Sequence, residues 1–292
     1  MFMLSSQFEK SVPSANLAVQ LGDQEFDFIR TVVEKNAGIV LNSTKRQLVQ
    51  GRLARRIRDL GLQSFGEYCE LVRNGGPEEL IELINSITTN VTAFFRESHH
   101  FDVLKTLMLP ESIIRNEKTR RLRIWSAGCS SGEEPYSIAM TAADFMAKLR
   151  DWDFKILATD IDSEILETAA QGIYSADRSR GLSAERQQRF FSMGTGEYAG
   201  QVRVKPALQA MIAFRTLNLM HKWPMQGPFD VIFCRNVMIY FDQSTREKLL
   251  ERYAQLLADG GYLCLGHSES IQMQCTQFKL VGNTIYRKLE TN

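Results

Sequence analysis

The sequence predicts a doubly wound α/β domain preceded by a small all-helical domain. From Asp23 to about Arg115 the apolar residues recur at helical spacing, and no convincing strand interrupts them. After Arg121, short apolar runs alternate with amphipathic helices, which is typical of a parallel sheet with crossover helices. With 292 residues, 44% of them hydrophobic, the chain can bury one sizeable core and a smaller one.

The helical domain is expected over residues 21–115, after a flexible tail over residues 1–20 that mixes Ser, Gln, Glu, Lys and Pro. One helix runs from Ser43 to Leu60 and ends at Gly61, which suits a C-cap. Further helices are predicted to begin near Ser64, Pro77 and Ser98.

The α/β domain is expected over residues 116–292. Five apolar runs predict its parallel strands: Leu122–Ala127, Lys155–Thr159, Met211–Leu217, Phe229–Cys234 and Gly261–Leu265. The crossover helices are predicted at about Glu134–Arg150, Ser163–Ala170 and Gln243–Leu257. Two further β-like stretches, joined at Gly282-Asn283, predict a C-terminal antiparallel hairpin at the sheet's edge: Phe278–Val281 and Thr284–Lys288.

The segment from Ile173 to Ala210 is too long for a simple connection between the second crossover helix and the third strand. We therefore expect a small inserted β-subdomain over residues 173–210. In its predicted strand, Gln201, Arg203 and Lys205 share one face and two valines share the other, an alternation that suits an edge strand.

Charge and cysteine content exclude several classes of protein. The chain has 35 Lys+Arg and 34 Asp+Glu, so its net charge gives no general attraction to nucleic acid or to an anionic membrane. The five cysteines form no CxxC pair and no zinc-ligand spacing appears, so we expect reduced, mostly buried thiols and no metal. Neither a signal peptide nor an apolar run near the ~20 residues of a membrane-spanning helix is evident. We expect a cytoplasmic protein with no membrane insertion.

A turn of small residues follows the first predicted strand, in the run Ile124-Trp-Ser-Ala-Gly-Cys-Ser-Ser-Gly-Glu-Glu-Pro-Tyr-Ser-Ile138. Ligands bind outside the carboxyl ends of strands in such sheets, and Gly128 and Gly132 let the backbone approach a ligand closely. Glu133 and Glu134 disfavour a pyrophosphate and favour a cationic or zwitterionic ligand such as S-adenosylmethionine (SAM). The alternative is that the glycines only tighten the turn and that Glu134 is an ordinary acid of a first helical turn.

Polar side chains follow three other predicted strands. Asp160 ends the second strand, where an acid can accept hydrogen bonds from both ribose hydroxyls of a nucleoside, while Asp162 suits a helix cap. The third strand ends at Asn218-Leu219 and the fourth at Arg235-Asn236. Because the carboxyl ends of parallel strands meet at one edge, these groups are predicted to surround one ligand.

Five motifs resemble the chemotaxis receptor methyltransferases, the CheR family. They are Asn90-Val-Thr-Ala-Phe-Phe-Arg96, Ser126-Ala-Gly-Cys-Ser-Ser-Gly-Glu-Glu-Pro-Tyr136, Ala158-Thr-Asp-Ile-Asp162, Phe233-Cys-Arg-Asn-Val-Met-Ile-Tyr-Phe-Asp242 and Gly266-His-Ser-Glu269. The resemblance runs from about residue 20 to the end of the chain.

The resemblance implies transfer of a methyl group from SAM to glutamate carboxylates on the cytoplasmic helices of chemoreceptors. The products would be glutamate methyl esters and S-adenosylhomocysteine. Arg96 and Tyr240 would place the acceptor carboxylate, and whether Glu133 or Glu134 contacts SAM stays open. The SAM contacts implied by motif position are Asn90, Thr92, Arg96, Glu133, Asp160, Asn218, Leu219, Arg235 and Asn236.

The resemblance also implies that the inserted subdomain can grip a short peptide at the receptor's C-terminus. A peptide that pairs with the predicted edge strand would bring its acidic side chains or terminal carboxylate to Arg203 and Lys205. The alternative is a plain hairpin that braces the sheet and binds nothing.

The helix from Ser43 to Leu60 is strongly basic, and Lys45, Arg52 and Arg56 fall near one of its faces. Such a face can be merely solvated, or it can dock acidic receptor helices. A rival interpretation is a SAM-dependent RNA or DNA methyltransferase, which the balanced charge opposes, so no nucleic acid is expected as a partner. A SAM-binding sensor without catalysis is a third interpretation that the sequence leaves open.

Overall fold

The computed structural model describes residues 20–149, 151–271 and 276–290. The predicted tail, except for its last residue, lies outside the described residues. Among the described residues, no helix is both long enough and apolar enough to cross a membrane.

Four helices form the N-terminal domain around their own core. Ser64 caps the third helix by accepting a hydrogen bond from the backbone N–H of Glu67 (3.1 Å), and Pro77 occupies the first turn of the fourth, as predicted. Their apolar faces meet in a core that includes Ile29, Leu53 and Leu83. The bounds are α1 Asp23–Ala37, α2 Arg46–Asp59, α3 Phe65–Asn74 and α4 Pro77–Ile87.

A continuous helical stretch then leads to the sheet. It comprises α5 (His99–Val103), a π-helical segment (Leu104–Met108) and α6 (Leu109–Arg115). Its apolar residues pack into the core of the sheet rather than into that of α1–α4. By packing, the division between the domains therefore falls before residue 99, whereas the sequence pattern alone extends the helical domain to residue 115.

The second domain contains the predicted alternation of strands and helices. Its strands are β1 Arg121–Ala127, β2 Asp153–Asp160, β3 Ile173–Ser175, β4 Phe191–Met193, β5 Gln201–Val204, β6 Ile212–Thr216, β7 Phe229–Cys234, β8 Leu257–Leu265, β9 Phe278–Gly282 and β10 Ile285–Lys288. Its helices are α7 Glu133–Met146, α8 Ser163–Gln171, α9 Ala176–Ser179, α10 Ala184–Phe190, α11 Pro206–Gln209 and α12 Gln243–Leu256.

Seven strands form the main sheet in the order β6-β2-β1-β7-β8-β10-β9. Strands β6, β2, β1, β7 and β8 pair in parallel, and β10 and β9 add the antiparallel hairpin predicted at the edge. The chain moves outward from β1 to β6 and then returns to start β7 beside β1. The topological switch point, where ligands bind in such sheets, therefore lies between β1 and β7.

The alternation of side chains along the strands fills a core on each face of the sheet. Ile124 and Phe233 point to the face covered by α5, α6 and α7. Trp125 and Ile232 point to the opposite face, where Tyr253 of α12 packs against them. The predicted crossover helices thus cover both faces, as a doubly wound sheet requires.

The inserted subdomain is present, but its strand order corrects one expectation. Strand β5 pairs with both neighbours in the order β3-β5-β4, so it is the central strand and the prediction of an edge strand is wrong. The alternation itself is confirmed, because Arg203 is exposed while Val202 and Val204 are buried. The Nζ of Lys205 donates to the backbone oxygen of Gln188 (2.7 Å). The free edges of this small sheet belong to β3 and β4.

Candidate active site

A cleft of about 1030 Å³, with open solvent at its mouth included, lies at the carboxyl ends of β1, β2, β6 and β7. Its wall contains Tyr240 and every candidate SAM contact except Glu133: Asn90, Thr92, Arg96, Asp160, Asn218, Leu219, Arg235 and Asn236. Arg203 and Lys205 lie outside this wall, in the inserted subdomain.

The turn after β1 needs its first glycine for two reasons. Gly128 has a φ of +90°, a conformation that side chains disfavour, and a Cβ atom there would overlap the side chain of Val237. Two residues on, the backbone N–H of Ser130 donates to Oδ2 of Asp160 (2.7 Å). The turn is therefore tied to the end of β2, and its backbone is open to close approach by a ligand.

Asp160 is a buried carboxylate in the cleft wall. Its side chain also accepts a hydrogen bond from the backbone N–H of Asp162 (3.1 Å). Burial raises the pKa of Asp160 to about 6, although these backbone hydrogen bonds oppose the shift. When it is ionised, this buried carboxylate can accept hydrogen bonds from hydroxyl groups in the cleft or attract a positive charge there.

Asp162 caps α8, as the sequence predicted. One carboxylate oxygen accepts from the backbone N–H groups of Glu164 (3.1 Å) and Ile165 (3.0 Å). The other accepts from Thr88 Oγ1 (2.8 Å) and from the side-chain amide of Asn90 (2.7 Å). The cap therefore also holds Asn90 at the cleft.

Of the two adjacent glutamates, the structure places Glu134 in the cleft wall. Glu134 accepts hydrogen bonds from Ser126 Oγ (2.7 Å) and from Arg235 (3.0 Å). Burial raises its pKa, and the Arg235 guanidinium acts in the opposite direction. Glu133 is fully buried, bonds to Ser131 Oγ (2.6 Å) and forms an ion pair with Arg178 of α9. The structure therefore places Glu134, and not Glu133, in the wall of the cleft, and which of the two contacts SAM stays a prediction.

Arg235 is a buried cation whose charge is already balanced. Its guanidinium lies 3.0 Å from Glu134 and 3.4 Å from Glu97, and it donates to the backbone oxygen of Arg96. Burial alone would raise the pKa of Glu97. A hydrogen bond from His267 and the charge of Arg235 outweigh burial and hold this pKa at about 2. Arg235 thus links the end of β7 to the segment that carries Arg96.

Arg96 differs from Arg235 in its partners. Its guanidinium donates to the backbone oxygen of Val91 (2.8 Å). Within the part of the chain that the structure describes, Arg96 forms no salt bridge. The guanidinium of Arg96 is therefore not neutralised by a neighbouring glutamate of the described residues.

The helical domain contributes to the cleft through residues that the sequence did not single out. Ala37 and Ile39, on either side of the glycine that ends α1, line the wall. The backbone oxygen of Asn36 accepts from the side-chain amide of Asn218 (2.6 Å), and the N–H of Val40 donates to the backbone oxygen of Tyr240 (2.9 Å). The only sequence signal for this contact is the glycine that ends α1 before an apolar pair.

Glu97, His99 and His100 bring possible ligand atoms within 4.8 Å of one another. Burial and the nearby Arg235 charge lower the pKa of His100 to about 3, and its Nε2 lies 3.2 Å from Thr284 Oγ1. Because the guanidinium of Arg235 also opposes a cation at this point, the cluster suits hydrogen bonding better than it suits a metal.

The basic face of α2 is smaller than the sequence suggests. Arg56 forms ion pairs with Glu79 (2.6 Å) and Glu82 (2.9 Å) of α4, and Arg52 donates to the backbone oxygen of Thr88 (2.7 Å). These two arginines hold α2 to α4. Of the predicted face, Lys45 alone is exposed.

The chemistry of the cleft defines the class of protein. Asp160 and Glu134 would repel a pyrophosphate but attract the sulfonium and ammonium groups of SAM. The cleft also lies at the switch point of a doubly wound sheet, which is where such folds bind their ligands. The protein is a SAM-dependent methyltransferase. Residues 90–287 match the family described as "CheR methyltransferase, SAM binding domain", and residues 24–88 match "CheR methyltransferase, all-alpha domain". The chain belongs to the CheR methyltransferase family.

Known relatives resemble the chain over most of its length. A chemotaxis protein methyltransferase of Escherichia coli is 45% identical over 268 residues, which cover 91% of each chain. A probable chemotaxis protein methyltransferase of Rhizobium etli is 45% identical and covers 88% of this chain and 96% of its own. Chemotaxis protein methyltransferase 2 of Pseudomonas aeruginosa is 42% identical and covers 94% and 99%, respectively.

Proposed function

We propose that this methyltransferase methylates glutamate side chains of chemoreceptors and forms methyl esters during chemotactic adaptation. The observation that carries the proposal is Arg96, a cleft residue that forms no salt bridge among the described residues. An unpaired guanidinium suits an acceptor that is itself a carboxylate, because it offers two parallel charge-assisted hydrogen bonds. The names of the relatives, chemotaxis protein methyltransferases, support chemoreceptors as the acceptors.

The cleft residues fit SAM. Asp160 is proposed to accept hydrogen bonds from the ribose, and Glu134 and Asp160 supply negative charge for the sulfonium and ammonium groups. The side-chain amide of Asn218 is engaged by Asn36. Asn218 and Leu219 are therefore proposed to contribute wall surface, with Asn90, Thr92, Arg235 and Asn236 completing the wall.

The proposed reaction needs no general base. SAM supplies the methyl group when it is bound in the cleft. A glutamate carboxylate, with an ordinary pKa near ~4.3, is already ionised at neutral pH and acts directly as the nucleophile. Arg96 and Tyr240 are proposed to hold this carboxylate in line with the sulfur and to exclude water. Such alignment can contribute ~7–11 kcal/mol to the lowering of a barrier.

The acceptor helix is proposed to approach across an apolar rim of Val40, Val91 and Ile239. These side chains are 41%, 75% and 44% exposed. Val91 lines the cleft, and the hydrogen bond between Val40 and Tyr240 places the rim beside the proposed acceptor site. An amphipathic receptor helix would cover this surface while its glutamate reaches Arg96. Chemoreceptor signalling helices lie in the cytoplasm, which is where we place the reaction.

A receptor C-terminal peptide is proposed to bind the outer edge of β4. Backbone hydrogen bonds from Gly194 to Gln201 and from Lys205 to Phe190, each 2.9 Å, fix the alternation of inward and outward groups. Phe191 and Met193 therefore direct their N–H groups away from β5. Since the N–H of Phe191 donates to the backbone oxygen of Gln187 at the end of α10, the N–H of Met193 is the one proposed to pair with the peptide. Arg203 pairs in register with Ser192 of β4, so its charge lies close to a peptide on this edge.

The test is methyl transfer from labelled SAM to two acceptors, a receptor cytoplasmic fragment and RNA, with a third reaction that contains no added acceptor. We expect label on the receptor fragment alone. Label on RNA would favour a nucleic-acid methyltransferase, and SAM binding without transfer to any acceptor would favour a sensor. A nucleic-acid acceptor is not favoured, because internal contacts occupy Arg52 and Arg56 of the basic helix.

A further inference from the structure

The motif from Gly266 to Glu269 lies after β8 and outside the cleft wall. Glu269 is nonetheless buried, and its carboxylate accepts three backbone hydrogen bonds. Oε2 accepts from the N–H of Gly266 (2.6 Å) and of Asn236 (2.9 Å), and Oε1 accepts from the N–H of Ile239 (3.2 Å). One side chain therefore joins the loop after β8 to the loop after β7.

The loop after β7 is the one that delivers functional groups to the cleft. Arg235, Asn236 and Tyr240 all line the wall. Asn236 has a φ of +58°, in the left-handed region that asparagine adopts more readily than most non-glycine residues, and the hydrogen bond from its N–H to Glu269 helps to hold this conformation. Glu269 binds two N–H groups of this loop, that of Asn236 itself and that of Ile239, which precedes Tyr240.

The packing at Gly266 leaves no room for a side chain. A Cβ atom at this position would lie 2.7 Å from the backbone nitrogen of Asn236 and 2.9 Å from Oε2 of Glu269. The same motif reaches the cleft by a second route, since His267 bonds to Glu97 (2.9 Å), which in turn contacts Arg235.

We propose that Glu269 is a positioning residue, whose carboxylate holds the loop from Arg235 to Tyr240 in the geometry needed for SAM binding and methyl transfer. It acts through Asn236 and Tyr240 and touches no reacting atom. This inference rests on their proposed places in the SAM and acceptor sites. SAM binding tests it independently of the acceptor's identity.

Glu269→Gln tests whether the carboxylate of Glu269 has this positioning role. Glutamine keeps the shape but replaces one acceptor oxygen by an NH₂ group, which faces backbone donors instead of accepting from them. A hydrogen bond to a charged group is lost and a donor is left unsatisfied. The loop, rather than the rest of the sheet, should then relax.

Asp230 provides a matched control. It is a buried carboxylate near the opposite end of β7, and it also accepts three hydrogen bonds, from Arg115 (2.7 Å), Asn116 (2.7 Å) and the N–H of Arg123 (2.8 Å). Asp230→Asn likewise replaces a buried carboxylate that accepts three hydrogen bonds, one of them from the Arg115 guanidinium, and it does so far from the cleft. A general loss of stability should affect both variants alike.

The experiment measures SAM affinity by calorimetry, and kcat and KM for methyl transfer, in the full-length protein well below each variant's melting temperature. We expect Glu269→Gln to weaken SAM binding or to lower kcat by about tenfold or more, whereas Asp230→Asn changes each by less than about twofold. Glu269→Asp, which keeps the charge, should retain more activity than Glu269→Gln.

Two results would overturn the proposal: unchanged affinity and kcat in a folded Glu269→Gln, or equal losses in the two matched variants. Should Glu269→Gln fail to fold, Gly266→Ala serves in its place, since its methyl group displaces Asn236 directly. If no receptor fragment is methylated by the wild-type protein, the proposed function fails, while the comparison of SAM affinities still decides the role of Glu269.

Discussion

Asp160 and Arg96 represent the two uses of charge in the cleft. Asp160 is a buried anion tied to the glycine turn, and Arg96 is a cation whose hydrogen bond goes to a backbone oxygen. Position along the strands was enough to predict that Asp160 lies at the cleft, whereas its contact with SAM stays a prediction. The choice between Glu133 and Glu134 was not predictable, because adjacent helical residues point in directions about 100° apart and the turn fixes which one faces the cleft.

Replacement of Asp160 by alanine should weaken SAM binding by about 1–3 kcal/mol, because hydrogen bonds to a buried carboxylate are lost. Calorimetry on the folded variant measures the change. Unaltered affinity would remove Asp160 from the SAM site.

The raised pKa of Asp160 predicts a pH dependence. Since its folded pKa of about 6 lies above the unfolded value, the stability that this group contributes is present at low pH and is lost as the pH rises through about 6. SAM binding should run the other way and weaken as the pH falls through about 6, because the protonated acid is a poorer acceptor. Asp160→Asn should lack this dependence, and a wild-type affinity that stays flat between pH 5 and pH 7 would contradict the argument.

Arg96→Lys keeps the charge but loses the planar fork, so turnover should fall by about tenfold or more while SAM still binds. Steady-state kinetics with a receptor fragment measure this, and Arg121→Lys, at the exposed start of β1, is the control. Normal turnover at saturating receptor would exclude Arg96 from the chemical step.

At the scale of elements, regular patterns were predictable and non-local pairings were not. The alternation after Arg121 predicted β1, β2, β6, β7 and β8, because helical and strand periods differ along the sequence itself. Strand β3 is only three residues long and carries no such pattern, so the central place of β5 between β3 and β4 was missed. The Arg56–Glu79 ion pair likewise joins residues 23 positions apart, which spacing within α2 cannot reveal.

The edge of β4 gives a prediction for peptide binding. Met193→Pro removes an N–H that points away from β5, so it should abolish pairing with a receptor C-terminal peptide and leave SAM affinity unchanged. Met193→Ala controls for the side chain, and Arg203→Glu should weaken binding by charge. Titration by fluorescence anisotropy measures each. If receptor C-terminal peptides do not bind the wild-type protein, the tether proposal is wrong.

At the scale of the whole molecule, the cleft depends on both domains. Thr88 bonds to Asp162 (2.8 Å) across the domain boundary, and Asn36 and Val40 bond to Asn218 and Tyr240. Ala37 and Ile39 complete the wall. The two domains could be predicted from the change in periodicity, but their contact through the α1–α2 connection could not.

SAM should therefore stabilise the helical domain as well as the sheet. At a concentration of ~100 times the Kd, ligand binding adds about 2.7 kcal/mol to the free energy of unfolding. Thermal unfolding measures this gain in stability. Hydrogen exchange should show that SAM protects the backbone amides of α1 together with those of the sheet. Protection confined to residues after 98 would contradict a shared cleft.

The central claim is that the acceptor is a glutamate carboxylate, and mapping the methyl group on a receptor fragment tests it most directly. After incubation with labelled SAM, peptide mass spectrometry should place one methyl group on each modified glutamate, and mild alkali should release the label, as expected of an ester. Label that resists alkali, or that lies on a nitrogen or on another residue type, would contradict the account.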